Sequence, residues 1–152
     1  MPGRKLSHEV QAQVRQRANG LCEYCHTSEK WQYVRFTIDH VVPLKQGGSS
    51  RLDNLALACF HCNRYKSGCQ RAPDPQTQQP APLFNPRTQA WSEHFIWSAD
   101  ALTLLGVSPT GRATVELLRL NRERIQAIRG ADCDVGRHPP AGDPRQLQEP
   151  SG

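Results

Sequence analysis

Val10, Val14 and Ala18 recur at helical spacing behind Ser7, a residue type that caps helix starts, and Asn19-Gly20 closes the run. A helix is therefore predicted from residue 8 to about Ala18. The pattern then changes: Gln32 to Ile38 is rich in β-branched and aromatic residues and alternates in part, predicting a strand that runs into Asp39-His40. Val41 to Leu44 continues it, with Pro43 marking an edge or a bend. Gly47-Gly48-Ser49-Ser50 is a loop, Leu55 to Ala58 is short and apolar, and Cys59 to Lys66 is expected to form a short helix.

Beyond residue 71 the patterning is of another kind. Residues 72–82 (APDPQTQQPAP) hold four prolines and three glutamines, a composition expected to run as an extended surface linker. The aromatics Phe84, Trp91, Phe95 and Trp97 call for burial in short strands and turns. Ser108-Pro109 opens a predicted long helix that reaches about Arg129, where Gly130 ends it. From Ala131 the chain is rich in Pro, Gly and Asp without periodicity and is expected to be a disordered tail. The organisation predicted is one globular α+β unit: a core over 1–71, the linker 72–82, an extension over 83–130 packed on the core, and the tail 131–152.

Composition changes this picture in two ways. Apolar residues make up 37% of the 152 and mean hydropathy is −0.66, so a core built by burial alone would be thin and cross-links would help. Charge is unevenly placed: residues 1–71 hold 11 Lys and Arg against 5 Asp and Glu, while residues 72–152 hold 8 against 9. The basic half favours a polyanionic partner, with nucleic acid the commonest. No run approaches the ~20 apolar residues of a membrane span, and MPGRKLSHEV lacks the apolar stretch of a secretory signal, so a soluble, cytoplasmic protein is expected.

In a reducing compartment, paired cysteines at short spacing are more often metal ligands than disulfides. Cys22-x2-Cys25 and Cys59-x2-Cys62 are two such knuckles, and together they can close one tetrahedral site of four thiolates. Zn2+ suits soft sulfur ligands, and a site filled by four protein ligands is structural. Cys69 and Cys133 lack this pairing and are read as free thiols; His26 and His61 are not needed as ligands.

Between and after the knuckles stand Asp39-His40-x2-Pro43-x3-Gly47-Gly48 and Asn54-Leu55-x3-Cys59-x2-Cys62-Asn63-x2-Lys66. Hydrolysis of a phosphodiester needs a deprotonated water and neutralisation of charge on the phosphorus oxygens. An imidazole such as His40 can take the proton, and Asp39 and Asn63 offer hard oxygen donors suited to Mg2+ or Mn2+. Over roughly residues 15–70 these motifs resemble the HNH endonucleases, the ββα-metal or His-metal-finger superfamily, in their four-cysteine form. The resemblance implies a small zinc-stapled ββα-metal core, with an N-terminal helix and a C-terminal extension, similar to that of some bacterial HNH proteins, that ends in a long helix.

By the same resemblance His40 is the general base, Asp39 and Asn63 hold one catalytic cation, and Asn54 braces the loop and orients the His40 ring. The expected activity is metal-dependent cleavage of DNA; the alternative is a zinc-knuckle module that binds nucleic acid without cutting. Arg35, Arg64 and Lys66 are the cations nearest the centre in sequence, and are expected on backbone phosphates.

Overall fold

A computed structural model describes residues 5–148. Residues 1–4 of the expected core and 149–152 of the expected tail lie outside the described residues. The chain divides into two compact units where the sequence suggested one: the first takes Met1–Gly68 with Asn85–Thr88, the second Cys69–Phe84 with Gln89–Gly152.

In the first unit, α1 (His8–Arg17) begins where predicted, with the Ser7 hydroxyl accepting from Val10 N–H and Val14 buried beneath it. Strand β1 (Thr37–His40) pairs antiparallel with β2 (Leu55–Ala58), Thr37 facing Ala58 and His40 facing Leu55. All four residues of β2 are buried, as a short apolar run suggests. Helix α2 (Phe60–Lys66) follows at once and packs on both strands, giving a compact ββα unit.

The predicted strand over 32–38 forms only from Thr37 onward. β2 offers four residues of pairing, and among the described residues no strand pairs with the chain upstream, so Tyr33, Val34 and Arg35 stand in solvent despite their strand-like composition. Nor do Val41 to Leu44 extend β1. Val41 N–H donates to Asn54 O, and the chain then turns into a 3-10 helix over Leu44–Gln46.

In the second unit the expected linker is a hairpin: β3 (Arg71–Pro73) pairs with β4 (Pro80–Pro82), Ala72 opposite Ala81. Proline is tolerated because a two-stranded ladder leaves backbone positions that need donate no bond. The turn is built by Asp74, whose carboxylate accepts from Gln76 N–H at 2.9 Å and the Thr77 hydroxyl at 3.2 Å. Arg112 grips the same carboxylate with two bonds of 2.9 and 2.8 Å.

The aromatics are packing residues, as expected. β5 (Phe95–Trp97) and β6 (Leu104–Gly106) form a hairpin, and Phe84, Trp91, Phe95 and Trp97 cluster with ring centroids 5.1 to 6.0 Å apart.

The predicted long helix is two. α3 (Pro109–Leu117) starts at the Ser108 cap, and α4 (Glu123–Asp134) runs through Gly130 without stopping. The chain breaks between them because Leu118 and Leu120 are both fully buried, with Arg119 at a φ of 50°. Asn121 then bonds both backbone groups of Leu104, and the Arg129 guanidinium reaches Asn121, Leu120 O and Leu102 O over the Trp97 face.

The segment from Ala131, expected as a tail, completes α4 and then returns to β5. Trp97 N–H donates to Pro144 O, the Trp97 indole donates to Asp143 at 2.9 Å, and Gln146 N–H donates to Trp97 O.

Candidate active site and metal centre

Four sulfur atoms meet at one end of the ββα unit. The ligand atoms of Cys22, Cys25, Cys59 and Cys62 all lie within 4.8 Å of one another, and Cys25 Sγ and Cys59 Sγ are 3.8 Å apart. Zn–S bonds of about 2.3 Å in a tetrahedron require an S···S edge of about 3.8 Å, so the spacing fits a shared ion. Protonation tells the same story. Burial pushes the Cys22 thiol well up, hydrogen bonding from Cys22 raises Cys62, and hydrogen bonds from Cys22, Cys59 and Cys62 pull Cys25 well down. Four thiols so crowded cannot all ionise unless a cation balances them. Cys69 is exposed, and Cys133 lies within α4 of the second unit.

The first knuckle also carries two polar residues that fasten it to the sheet. Glu23 N–H donates to Leu57 O and the Glu23 carboxylate accepts from Leu57 N–H, both at 2.8 Å. Glu23 further pairs with Arg87, whose guanidinium is drawn down to about 10 by burial and then by Arg17. That pair brings Asn85–Thr88 into the first unit.

Asp39 and His40 are neighbours on β1, and the two-residue period of a strand turns them to opposite faces. Asp39 is 6% exposed. Its Oδ2 accepts from the Tyr24 hydroxyl at 2.7 Å and lies 3.1 Å from Lys66 Nζ. Burial, and after it the Asp39 charge, pushes the Tyr24 phenol well up, which keeps it a donor. His40 is half-buried, and its Nε2 lies 3.0 Å from Ser50 Oγ.

Lys66 corrects the sequence reading. Expected on backbone phosphates, it is 2% exposed, and its ammonium is spent on Asp39, on Val41 O at 3.0 Å and on His40 O at 3.5 Å. A charge so buried persists only where it is paired, and the Asp39 carboxylate supplies the partner. Arg35 and Arg64 are exposed, as phosphate-contacting cations must be.

α2 explains the rest of the arrangement. Cys59, Cys62, Asn63 and Lys66 are spaced at zero, three, four and seven, one face of a helix. Cys59 Sγ caps the helix by accepting from Cys62 N–H at 3.3 Å, and Lys66 at the far end reaches Asp39. Asn63 lies between them on this face, half-buried. Among the described residues no hydrogen bond engages the Asn63 amide or the second carboxylate oxygen of Asp39.

Asn54 is a brace. Its amide donates to Val42 O at 2.9 Å and Ser49 O at 2.7 Å and accepts from Val42 N–H at 2.9 Å, tying the loop after β1 into a closed turn. It makes no hydrogen bond to the His40 ring among the described residues; Ser50 does that instead. The glycine pair serves the same turn: Gly47 has a φ of 92°, and a Cβ on Gly48 would meet Val42 O at 1.8 Å and the Asn54 amide at 2.8 Å.

Sequence reasoning missed Tyr24, Ser50 and the inward role of Lys66. The signal for Tyr24 was its place between two metal-spaced cysteines, which ensures its burial; Ser50 carried none.

Comparison with known proteins agrees with this geometry. The HNH endonuclease family model matches residues 22–68, the span from the first knuckle to just beyond α2. No curated protein matches the chain. With its two knuckles, its Asp39-His40 strand and its Asn63 helix on one ββα frame, the segment 22–68 is similar to the HNH endonucleases, whose family model it matches.

Proposed function

We propose that the protein is a metal-dependent endonuclease that hydrolyses phosphodiester bonds in DNA. The observation that carries the reading is the division of labour across β1 and α2. Among the described residues Asp39 and Asn63 each keep one side-chain oxygen without a hydrogen bond, while His40 stands on the other face of the strand, half-buried.

In this reading Asp39 and Asn63 hold a hard divalent cation, Mg2+ or Mn2+. The bound ion supplies charge neutralisation at the scissile phosphate and at the departing oxygen. His40 takes the proton of the attacking water, the Ser50 hydroxyl steadies its ring, and Asn54 holds the intervening turn in shape. Tyr24 and Lys66 fix the Asp39 carboxylate by one oxygen and leave the other for the cation. Lys66 balances the Asp39 charge, so the protein's two donors carry little net charge and the substrate phosphate completes the electrostatics of the site. Zn2+ at the four cysteines is architectural in this scheme, because Cys59 caps the start of α2 and Cys62 adjoins Asn63, so holding both sulfurs fixes the helix that carries Asn63. Arg35 and Arg64 meet backbone phosphates.

Plasmid nicking with Mg2+ or Mn2+ tests the reading. The zinc-loaded protein is expected to nick, and His40→Ala to lose roughly 100-fold or more in rate while still binding DNA. Equal nicking by both proteins, or by neither when both are folded, overturns it in favour of a binding module.

A further inference from the structure

The segment between the first knuckle and β1 holds a feature the catalytic scheme does not use. It opens with a 3-10 helix over Glu29–Trp31 and ends at the buried Phe36. Its root is closed by one clamp: the Glu29 carboxylate accepts from Phe36 N–H at 2.7 Å and from Arg15 Nε at 3.1 Å, while Arg15 Nη2 donates to Phe36 O at 2.8 Å. Both ends of the loop are thus held together by a side-chain network, and the tip is presented on a fixed base.

What the tip presents is unusual for a surface. Tyr33 is fully exposed at 104%, Val34 is 60% exposed and Trp31 42% exposed, with Lys30 lying over the Trp31 ring at 4.8 Å. Arg35 is exposed beside them. The only acid of the segment, Glu29, is consumed by the clamp, so the tip offers cations and aromatic faces and no negative charge.

We propose that this loop is a stacking platform for an unpaired stretch of nucleic acid, with a base laid on Tyr33 and neighbouring phosphates met by Lys30 and Arg35. Alternation of ring and cation along a short segment matches a strand in which base and phosphate alternate. A paired duplex keeps its base faces stacked internally, so only a single-stranded or locally opened substrate can use the platform. Tyr33 and His40 are seven positions apart, a span of at most about 25 Å, so the stacked base belongs to the same few nucleotides as the bond to be cut. The proposal rests on the nuclease reading and adds the substrate class: unpaired strand next to the scissile bond.

The test uses the full chain, loaded with zinc and carrying His40→Ala so that nothing is cut, with fluorescence anisotropy on a labelled single-stranded oligonucleotide and on the matching duplex. Adding Tyr33→Ala is expected to weaken single-strand binding roughly tenfold, with the duplex unaffected and Tyr33→Phe restoring affinity, since the ring face and not the hydroxyl makes the stack. The Tyr33 side chain is fully exposed, so an unchanged melting temperature is expected and is checked alongside. Unchanged single-strand affinity, equal weakening on both substrates, or no binding of either overturns the platform. So does a Tyr33-dependent affinity for phosphatidylserine vesicles in place of the oligonucleotide. Nicking by the parent protein with unchanged single-strand affinity of the Tyr33→Ala protein defeats the platform and leaves the nuclease reading intact. Loss of single-strand affinity in a parent that never nicks does the reverse.

Discussion

The two units of this chain solve the same stability problem with different materials. The first places few large apolar side chains at its centre: Val14, Tyr24, Leu55 and Leu57 are its largest fully buried ones apart from Lys66. It makes up the deficit with four cysteines and with buried polar pairs, Asp39 with Lys66 and Glu23 with Arg87. The second unit packs Trp97, Phe84, Phe95, Leu104, Leu118 and Leu120 without exposure and uses its ions to fix turns, Asp74 with Arg112 and Arg129 among carbonyls. The cysteine cluster and buried charge leave the first unit with side-chain oxygens on Asp39 and Asn63 that no hydrogen bond engages among the described residues. A core of aromatics leaves the second unit closed. The contrast teaches that a site needing exposed polar donors is best mounted on a frame whose stability does not depend on covering them.

The largest expected effect breaks the first unit alone. A four-cysteine zinc site contributes on the order of 10 kcal/mol to folding, comparable to the whole stability of a small domain. Cys59→Ser, or a strong chelator on the parent protein, is expected to remove hydrogen-exchange protection across β1, β2 and α2 while β5 and β6 keep theirs. Unchanged protection in the first unit ends the metal-staple account, and parallel loss in both ends the contrast.

Lys66→Met sharpens the comparison within the first unit. It leaves the Asp39 charge buried beside Tyr24 with no cation, and breaking such a pair costs about 3–5 kcal/mol. Denaturant unfolding of the zinc-loaded protein is expected to show that loss, with much of it recovered when Asp39→Asn is added. A Lys66→Met protein as stable as its parent places the lysine outside the stabilising network.

Acid is the mildest probe, and it bears on the second unit. The hydrogen bonds from Arg112 hold the Asp74 carboxylate down to about 2, below its ordinary 3.8. A depressed pKa stabilises the fold at pH values above the unfolded one, and that contribution is lost as pH falls from near 4 toward 2. Asp74→Asn is expected to lower the melting temperature modestly at neutral pH and to flatten the acid limb of the second unit's stability curve. An acid limb identical in both proteins shows that the pair does not contribute.

Much of this protein was legible in its residues. Ser7 and Ser108-Pro109 mark the starts of α1 and α3, because a cap is a contact between a side chain and the backbone of its own next turn. Two matched cysteine spacings announced one cluster, and the order of Asp39, His40, Asn54 and Asn63 announced the frame that holds them. The caps are contacts between neighbours in sequence, and the knuckles and the ordered polar residues are read from residue type and spacing alone, so the sequence by itself was enough to announce them.

Only the tertiary structure decided the rest. The strand begins only at Thr37 because its partner is four residues long, and the helix breaks after Leu117 where Leu118 and Leu120 are buried, Asn121 is held by β6 and Arg129, and Leu120 O accepts from Arg129. Proline-rich residues 72–82 close a hairpin because Asp74 finds Arg112, 38 positions away. Lys66 lies inside because Asp39, far off in sequence, offers it the charge that burial demands. In each case the deciding partner is distant along the chain, and its worth is set by burial and pairing, quantities that exist only once the chain has folded.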